Sequence, residues 1–271
     1  MPDNKPSGLT LRIISAICLA IPTLAAIYFG APYYNVLIAV LAVLMAWEWS
    51  KLTLNEFKNP GFTLSLFAGL IPFVGYFHAE QNDVLVAIPT LTIILYLLSM
   101  KKEGSALWFS VGALYISLPV FAFIWLRDVT EHGLELVYWV AVLVWATDTG
   151  GYFFGKYIGG PKLAPKISPK KTWAGLLGGM FGAFIVGYTC AEIGEWSEPL
   201  YISLLSAGLA VIAQIGDLFE SHAKRRFGVK DSSHIIPGHG GVLDRLDGMM
   251  FAATVLAVLI FATDGLILSW L

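Results

Sequence analysis

The sequence predicts an all-α polytopic membrane protein, a bundle of about nine transmembrane helices. Three observations carry this reading. Apolar residues make up 57% of the 271 positions, while Asp, Glu, Lys and Arg make up 13%, roughly half the share of about 25% usual in soluble domains. The mean hydropathy is +0.71. The apolar residues also gather into runs near the ~20 residues that a helix needs to cross the hydrocarbon core. This composition excludes a disordered chain, a secreted disulfide scaffold and an ordinary soluble enzyme. A formal charge of −2 gives no polybasic character, so no nucleic-acid partner is expected. Cys18 and Cys190 lie within apolar runs and match no metal or redox spacing.

In chain order the candidate spans are Leu11–Phe29, Val36–Leu54, Phe62–Phe77, Val84–Met100, Ala106–Leu126, Leu134–Phe154, Trp173–Ile193, Leu200–Glu220 and Met249–Leu271. The first is longer than the apolar core of a signal peptide, and no small-x-small cleavage site follows it, so it is expected to be a retained helix. The third and fourth are the shortest. Nine crossings place the N-terminus and every basic residue except Arg127 on one side, Lys5 and Arg12 included. The other side collects Glu80, Asp83, Asp128, Glu131, Glu135, Glu192, Glu195 and Glu198. The positive-inside rule makes the basic side cytoplasmic, and the plasma (inner) membrane is the expected location.

The chain has no fixed-period repeat, but its composition shifts. Residues 1–134 are apolar helices with short loops, expected to be a scaffold or oligomer surface, with a homodimer through these helices as the partner expectation. Residues 135–271 hold the cytoplasmic loops 155–172 and 221–248 and the intramembrane acids, and are expected to be the catalytic part.

The chemistry concentrates in two places. The first starts at Asp148, near the cytoplasmic end of the sixth span, where a carboxylate marks a functional site by default. Gly150 to Lys156 approaches the pattern of a phosphate-binding P-loop. Tyr157 stands where a Ser or Thr is needed, however, and the segment follows a membrane helix instead of a strand. Its glycines equally suit close helix packing. Ser168-Pro169-Lys170-Lys171-Thr172 is expected to open the seventh span, where helix N–H groups, hydroxyls and the two lysines could hold a phosphate. A plain anchor at the lipid headgroups would use the same lysines.

The second place runs from Gln214 to Asp247 and mixes acids, bases, histidines and glycines. Asp217 falls at the end of the eighth span. Asp244 and Asp247 are spaced to share one face of a helix entering the ninth. Such hard oxygen donors suit Mg²⁺, one or two ions, better than zinc, for which His234 and His239 have no cysteine partner. Lys224, Arg225, Lys230 and Arg245 supply countercharge for phosphates, and Gly238, Gly240 and Gly241 let backbone approach a ligand. A basic loop on anionic headgroups would explain the cations but not Asp217, Asp231, Asp244 and Asp247 among them. His222, alone beside a basic run, is expected to be solvated.

Ser221, Lys224, Arg225, Lys230, Asp231, Ser233, Ile236, Pro237, His239-Gly240-Gly241-Val242 and Asp244-Arg245-Leu246-Asp247 resemble the signature of the phosphatidate cytidylyltransferase family, membrane enzymes that make CDP-diacylglycerol. The Gly-Asp-Leu-Phe-Glu-Ser lead-in and the segment from Lys162 to Trp173 are also similar. The clear resemblance covers about residues 140–250. Ala223, Gly151 and Ala174 depart from the pattern. Where relatives often carry Glu at Ala174, any role of that Glu is lost or moved here. The resemblance implies CTP and phosphatidate as substrates and magnesium as cofactor. It implies Asp217, Asp244, Lys224 and Arg245 as catalytic residues and Asp148, Asp217, Asp244 and Asp247 at the metal. Ser168, Lys170, Lys171, Lys224, Arg225, Lys230, His239, Gly240, Gly241 and Arg245 would bind substrate. An anion transporter is the alternative from another class, although the polar residues cluster in one half of the sequence, without the paired halves of many transporters. A CTP-using lipid kinase or an archaeal-type lipid cytidylyltransferase is a third reading.

Overall fold

The computed structural model describes residues 8–77, 81–102, 104–128 and 131–271. Lys5 and Glu80, counted in the charge asymmetry, lie outside the described residues. About 78% of the chain is helical. The helices are α1 (Gly8–Phe29), α2 (Tyr33–Leu54), α3 (Asn59–Leu70), α4 (Gln81–Ser99), α5 (Ala106–Asp128), α6 (Gly133–Tyr157), α7 (Trp173–Ile193), α8 (Pro199–Arg226) and α9 (Leu243–Ala262). Two short strands, β1 (Lys162–Ala164) and β2 (Ser168–Thr172), pair antiparallel between α6 and α7.

Among the described residues, α2, α4, α5, α7, α8 and α9 are long and apolar enough to cross a membrane, as an all-α membrane protein requires. The third expected span is the 12-residue α3 followed by a 3-10 helix, Ile71–Phe77, because Pro72 cannot donate to a continuing α-helical ladder. α6 has the length, but Glu135, Thr147, Asp148 and Thr149 dilute its apolar run.

The chain divides into two compact units. One comprises Met1–Phe121 and Phe227–Arg245, the other Ala122–Arg226 and Leu246–Leu271. The division is not linear: Phe227–Arg245, just after α8, belong with the N-terminal helices. In the first unit Trp49, Leu64, Ile88, Leu95, Phe109 and Ile116 are fully buried. Trp49 fixes the register of α2 against α5. Its indole N–H is within 3.2 Å of the Trp108 and Phe109 carbonyls, and its ring lies 5.0 Å from that of Tyr115. α2 ends at Asn55, whose left-handed φ of 55° closes the helix. In the turn that follows, Lys58 and Lys102 hold the Glu56 carboxyl below its ordinary range.

In the second unit, Trp139 is anchored by a 3.0 Å bond from its N–H to the Ser206 hydroxyl, edge-on to Trp196. α6 and α7 pack backbone to backbone. A Cβ at Gly179 would stand 2.9 Å from the Thr147 carbonyl, one at Gly182 2.9 Å from that of Ala146, and one at Gly150 would strike the Gly178 carbonyl. Small residues at a seam are how helices approach closely in an apolar medium.

Three boundaries differ from the sequence expectation. Ser168–Thr172 is a strand, not the opening of a helix: Pro169 lacks an N–H and favours extended backbone at Ser168. Only Thr172 caps α7, accepting 3.0 Å from the Gly175 N–H. α8 continues through Ser221–Arg226, with its basic last turn at the favourable end of the helix dipole, so the loop proper is 227–242. α9 begins at Leu243, ahead of Met249, and stops at Ala262, after which Asp264 and Gly265 take positive φ and a 3-10 turn, Leu266–Trp270, completes the chain.

The α6–α7 seam sets a test. Gly179→Leu is expected to lower the unfolding free energy by about 1–3 kcal/mol, measured by denaturant titration in detergent. Gly208→Ala, where a Cβ meets no heavy atom within 4 Å, should be neutral or slightly stabilising.

Candidate functional site

Each unit carries one group of the sequence-predicted site residues. In the first unit the loop 227–242 folds back on itself at Pro237-Gly238-His239-Gly240. Ile236 and Gly240 form a β-bridge, with the Ile236 N–H 2.9 Å from the Gly240 carbonyl. Gly240 has φ of 87°, a conformation that L side chains rarely adopt. At Gly241 there is no room for a side chain, since a Cβ would stand 2.5 Å from Glu48 Oε1.

The loop is held by two carboxylates. The Asp244 Oδ2 accepts from the Gly241 N–H at 2.8 Å and the Ser232 N–H at 2.9 Å, with the Ser232 hydroxyl also 2.9 Å away. Glu48, fully buried on α2, accepts from the Ser233 hydroxyl at 2.5 Å and from the Val242 and Leu243 N–H groups at 2.9 and 2.8 Å. The Ser232 hydroxyl lies 3.2 Å from its Oε2. Val242 and Leu243 enter α9, so Glu48 satisfies N–H groups that have no partner within that helix.

The held loop borders a cleft of about 640 Å³, lined among others by Lys230, Asp231, His234, His239, Gly240 and Arg245. It brings Lys230, His239, Gly240 and Arg245 together. The Ser15 hydroxyl is 2.9 Å from the Pro237 carbonyl and 3.3 Å from His239 Nδ1, so α1 also touches the turn.

In the second unit Asp217 pairs with Lys171, Oδ2 to Nζ 2.6 Å, and accepts from the Ser221 hydroxyl at 3.2 Å. Strand alternation divides the two adjacent lysines: Lys171 is half-buried on Asp217, while Lys170 is exposed. Asp247 accepts from the Gly248 N–H at 2.8 Å, and the charges of Asp217, Asp148 and Lys171 all reach it. α8 and α9 come close because a Cβ at Gly216 would stand 2.5 Å from the Asp247 carbonyl and one at Gly248 3.1 Å from that of Ala213. Asp148 is exposed on α6, Ser168 is half-buried in β2, and Arg225 is exposed at the end of α8.

Lys224, expected to counter phosphate charge, is buried and forms an ion pair with Glu220, one helical turn earlier and fully buried. Asp244, expected at the metal, gives one of its oxygens to the loop. Glu48 and Glu220 are absent from the sequence-predicted set. A carboxylate within an apolar run was the available signal for Glu48, and the i, i+4 spacing to Lys224 was the signal for Glu220.

Among the described residues no three His, Cys, Asp or Glu side chains converge to enclose a metal ion. Magnesium does not require that, because it takes one or two carboxylates and completes its shell with water and substrate oxygens. Asp217 and Asp247, with the charge of Asp148 in reach, are hard oxygen donors in a locally acidic setting, and their chemistry fits the ion.

The Cytidylyltransferase family matches residues 10–263. The chain is 34% identical over 256 residues to the phosphatidate cytidylyltransferase of Brucella suis biovar 1 (strain 1330), covering 92% of both chains. It is 33% identical over 280 residues to that of Haemophilus influenzae (strain ATCC 51907 / DSM 11121 / KW20 / Rd), covering 89% of this chain and 94% of the relative. It is 31% identical over 259 residues to that of Bacillus subtilis (strain 168), covering 92% and 96%.

The buried Lys224–Glu220 pair sets a stability test. Glu220→Ala removes the ion-pair partner of a buried ammonium and is expected to cost about 3–5 kcal/mol, read as a fall in the denaturant midpoint. Replacing both partners, as Glu220→Leu with Lys224→Met, should recover most of that loss.

Proposed function

The chain belongs to the cytidylyltransferase family, and from that premise we propose that it transfers the cytidylyl group of CTP to phosphatidate, forming CDP-diacylglycerol and releasing pyrophosphate. Membership makes it a nucleotidyltransferase. The observation that carries the reading is the cleft over the His239-Gly240 turn, where Lys230, Arg245 and two histidines face one volume large enough for a nucleotide.

In this reaction a phosphate oxygen of the lipid attacks the α-phosphorus of CTP. The new P–O bond forms as the bond to the β-phosphate oxygen breaks, and pyrophosphate leaves. The work of the protein is to hold two anions in line and offset their charge. Lys230 and Arg245 bind the triphosphate, while His239, Gly240 and Gly241 shape the wall against which it lies. Lys170, Arg225 and Ser168 offer further cationic and hydroxyl donors for phosphate. Lys171 acts through Asp217, and Lys224 through Glu220, as positioning residues. Asp148, Asp217 and Asp247 would hold magnesium, which supplies charge neutralisation on the phosphates when bound. We assign Asp244 to the loop.

The basic side, with the N-terminus and the loops after α6 and α8, is placed at the cytoplasmic face of the plasma membrane, where CTP is available. We include α1, α6 and the α3–3-10 segment as further crossings, giving nine. Phosphatidate keeps its acyl chains in lipid and offers only its headgroup.

The purified full chain in detergent, given phosphatidate, Mg²⁺ and CTP, is expected to move label into extractable lipid from α-labelled but not γ-labelled CTP. Transfer of γ-label, or no labelled lipid from folded protein, overturns the reading. EDTA is expected to abolish turnover and Mg²⁺ to restore it. Asp217→Asn should lower kcat by about 100-fold or more, and Asp247→Asn should raise the Mg²⁺ concentration for half-maximal rate about tenfold.

A further inference from the structure

Within the first unit, most of the residues that face the cleft sit on a loop that a buried side chain from a distant part of the sequence holds at both ends. Glu48 is 0% exposed, and among the described residues no cation forms an ion pair with it. Among the described residues it is held by hydrogen bonds, and its partners lie between Ser232 and Leu243. Oε1 faces the Ser233 hydroxyl and the Val242 N–H, while Oε2 faces the Ser232 hydroxyl and the Leu243 N–H. The bonds reach both ends of the segment that carries His234, His239 and Gly240. Ser232 links this carboxylate to Asp244, because its one hydroxyl proton stands between the two groups, and its N–H donates to Asp244. Gly241 is backed directly against Glu48, leaving the loop no slack there.

We propose that Glu48 is a positioning residue for CTP: by clamping Ser232–Ser233 and Val242–Leu243 together, it fixes the loop that presents Lys230 and His239 to the nucleotide and its junction with α9, which carries Arg245. The proposal rests on the reading of the cleft as the CTP site. It assigns to an N-terminal helix a part in nucleotide binding, exerted through the loop.

Glu48→Gln tests it on chemical grounds. Each carboxylate oxygen faces one backbone N–H, and a backbone N–H cannot turn round to accept. Whichever way the amide of Gln lies, its NH₂ group meets an N–H donor, and that end of the clamp opens. Hydrogen exchange on the full chain in detergent reads the clamp independently of turnover. The Val242 and Leu243 amides are expected to lose protection at least tenfold, while those of α5 keep theirs. Kinetics read the consequence: the KM for CTP should rise about tenfold or more, with the KM for phosphatidate within about twofold of wild type. Ser233→Ala, which removes one bond to Glu48 and the 3.2 Å bond from the Ile235 N–H and keeps the carboxylate on its backbone donors, should retain the fold and raise the KM for CTP about threefold. Unchanged amide protection in Glu48→Gln overturns the clamp. Lost protection with an unchanged KM for CTP, or equal rises for both substrates, overturns its role in nucleotide binding. If Glu48→Gln does not fold, an unchanged KM in Ser233→Ala overturns the proposal. A wild-type chain that makes no labelled lipid overturns the reading of the cleft, and with it the nucleotide role, while the exchange data still decide the clamp.

Discussion

A carboxylate removed from water must recover its hydrogen bonds inside the protein, because an uncompensated buried charge costs several kcal/mol. Glu48 meets that demand on a loop almost two hundred residues further along the chain. On α2 it neighbours Trp49, and successive helix positions point about 100° apart. One side chain therefore engages the α5 carbonyls, while the other engages Ser232, Ser233 and the start of α9. The same two positions set the register of α2 and immobilise the loop. Without such a clamp a glycine-rich segment carrying Gly238, Gly240 and Gly241 has a large conformational entropy to lose on binding a ligand. With it, much of that loss is taken during folding, which is how a cleft becomes preorganised.

The second unit solves a different problem. Its helices are brought together by small residues, so backbone replaces side chain at the seams α6–α7 and α8–α9. Close approach at Gly216 and Gly248 places Asp217 and Asp247 where their charges act on each other. Lys171 already pairs with Asp217 there, and a bound cation would place further positive charge beside the same carboxylates.

Much of the helical plan was legible because apolar run length is a direct consequence of bilayer or core dimensions. Val36–Leu54, Ala106–Leu126 and Trp173–Ile193 fall within or on α2, α5 and α7. The failures have local causes. Lysine side chains are compatible with helix, so the charge pattern of Ser168–Thr172 predicts a helix start, whereas Pro169 and pairing with β1 favour a strand. The polarity ahead of Met249 predicts that residue as the start of the ninth apolar span, whereas α9 is one helix from Leu243 with Asp244 and Asp247 in its first turns. At the site, the loop residues were legible from their density of charge and glycine. Glu48 was not, since its partners are remote in sequence and its apolar surroundings read as scaffold.

Asp244 and Asp247 show how far identical residues on one helix can diverge. By spacing they are equivalent, and both were expected at a metal. In the structure the Oδ2 of Asp244 is occupied by Ser232 and Gly241, while Asp247 spends one oxygen on its neighbouring N–H and lies in reach of two other acids. Loss of activity on changing Asp244 would therefore not by itself identify a metal ligand, because releasing Ser232 and Gly241 disturbs the cleft without any metal being involved. Metal dependence must be read at Asp217 and Asp247, where no loop hydrogen bond is removed, and loop order must be read at Asp244 and Glu48. The chemical question and the conformational one separate because each falls on a different set of carboxylates.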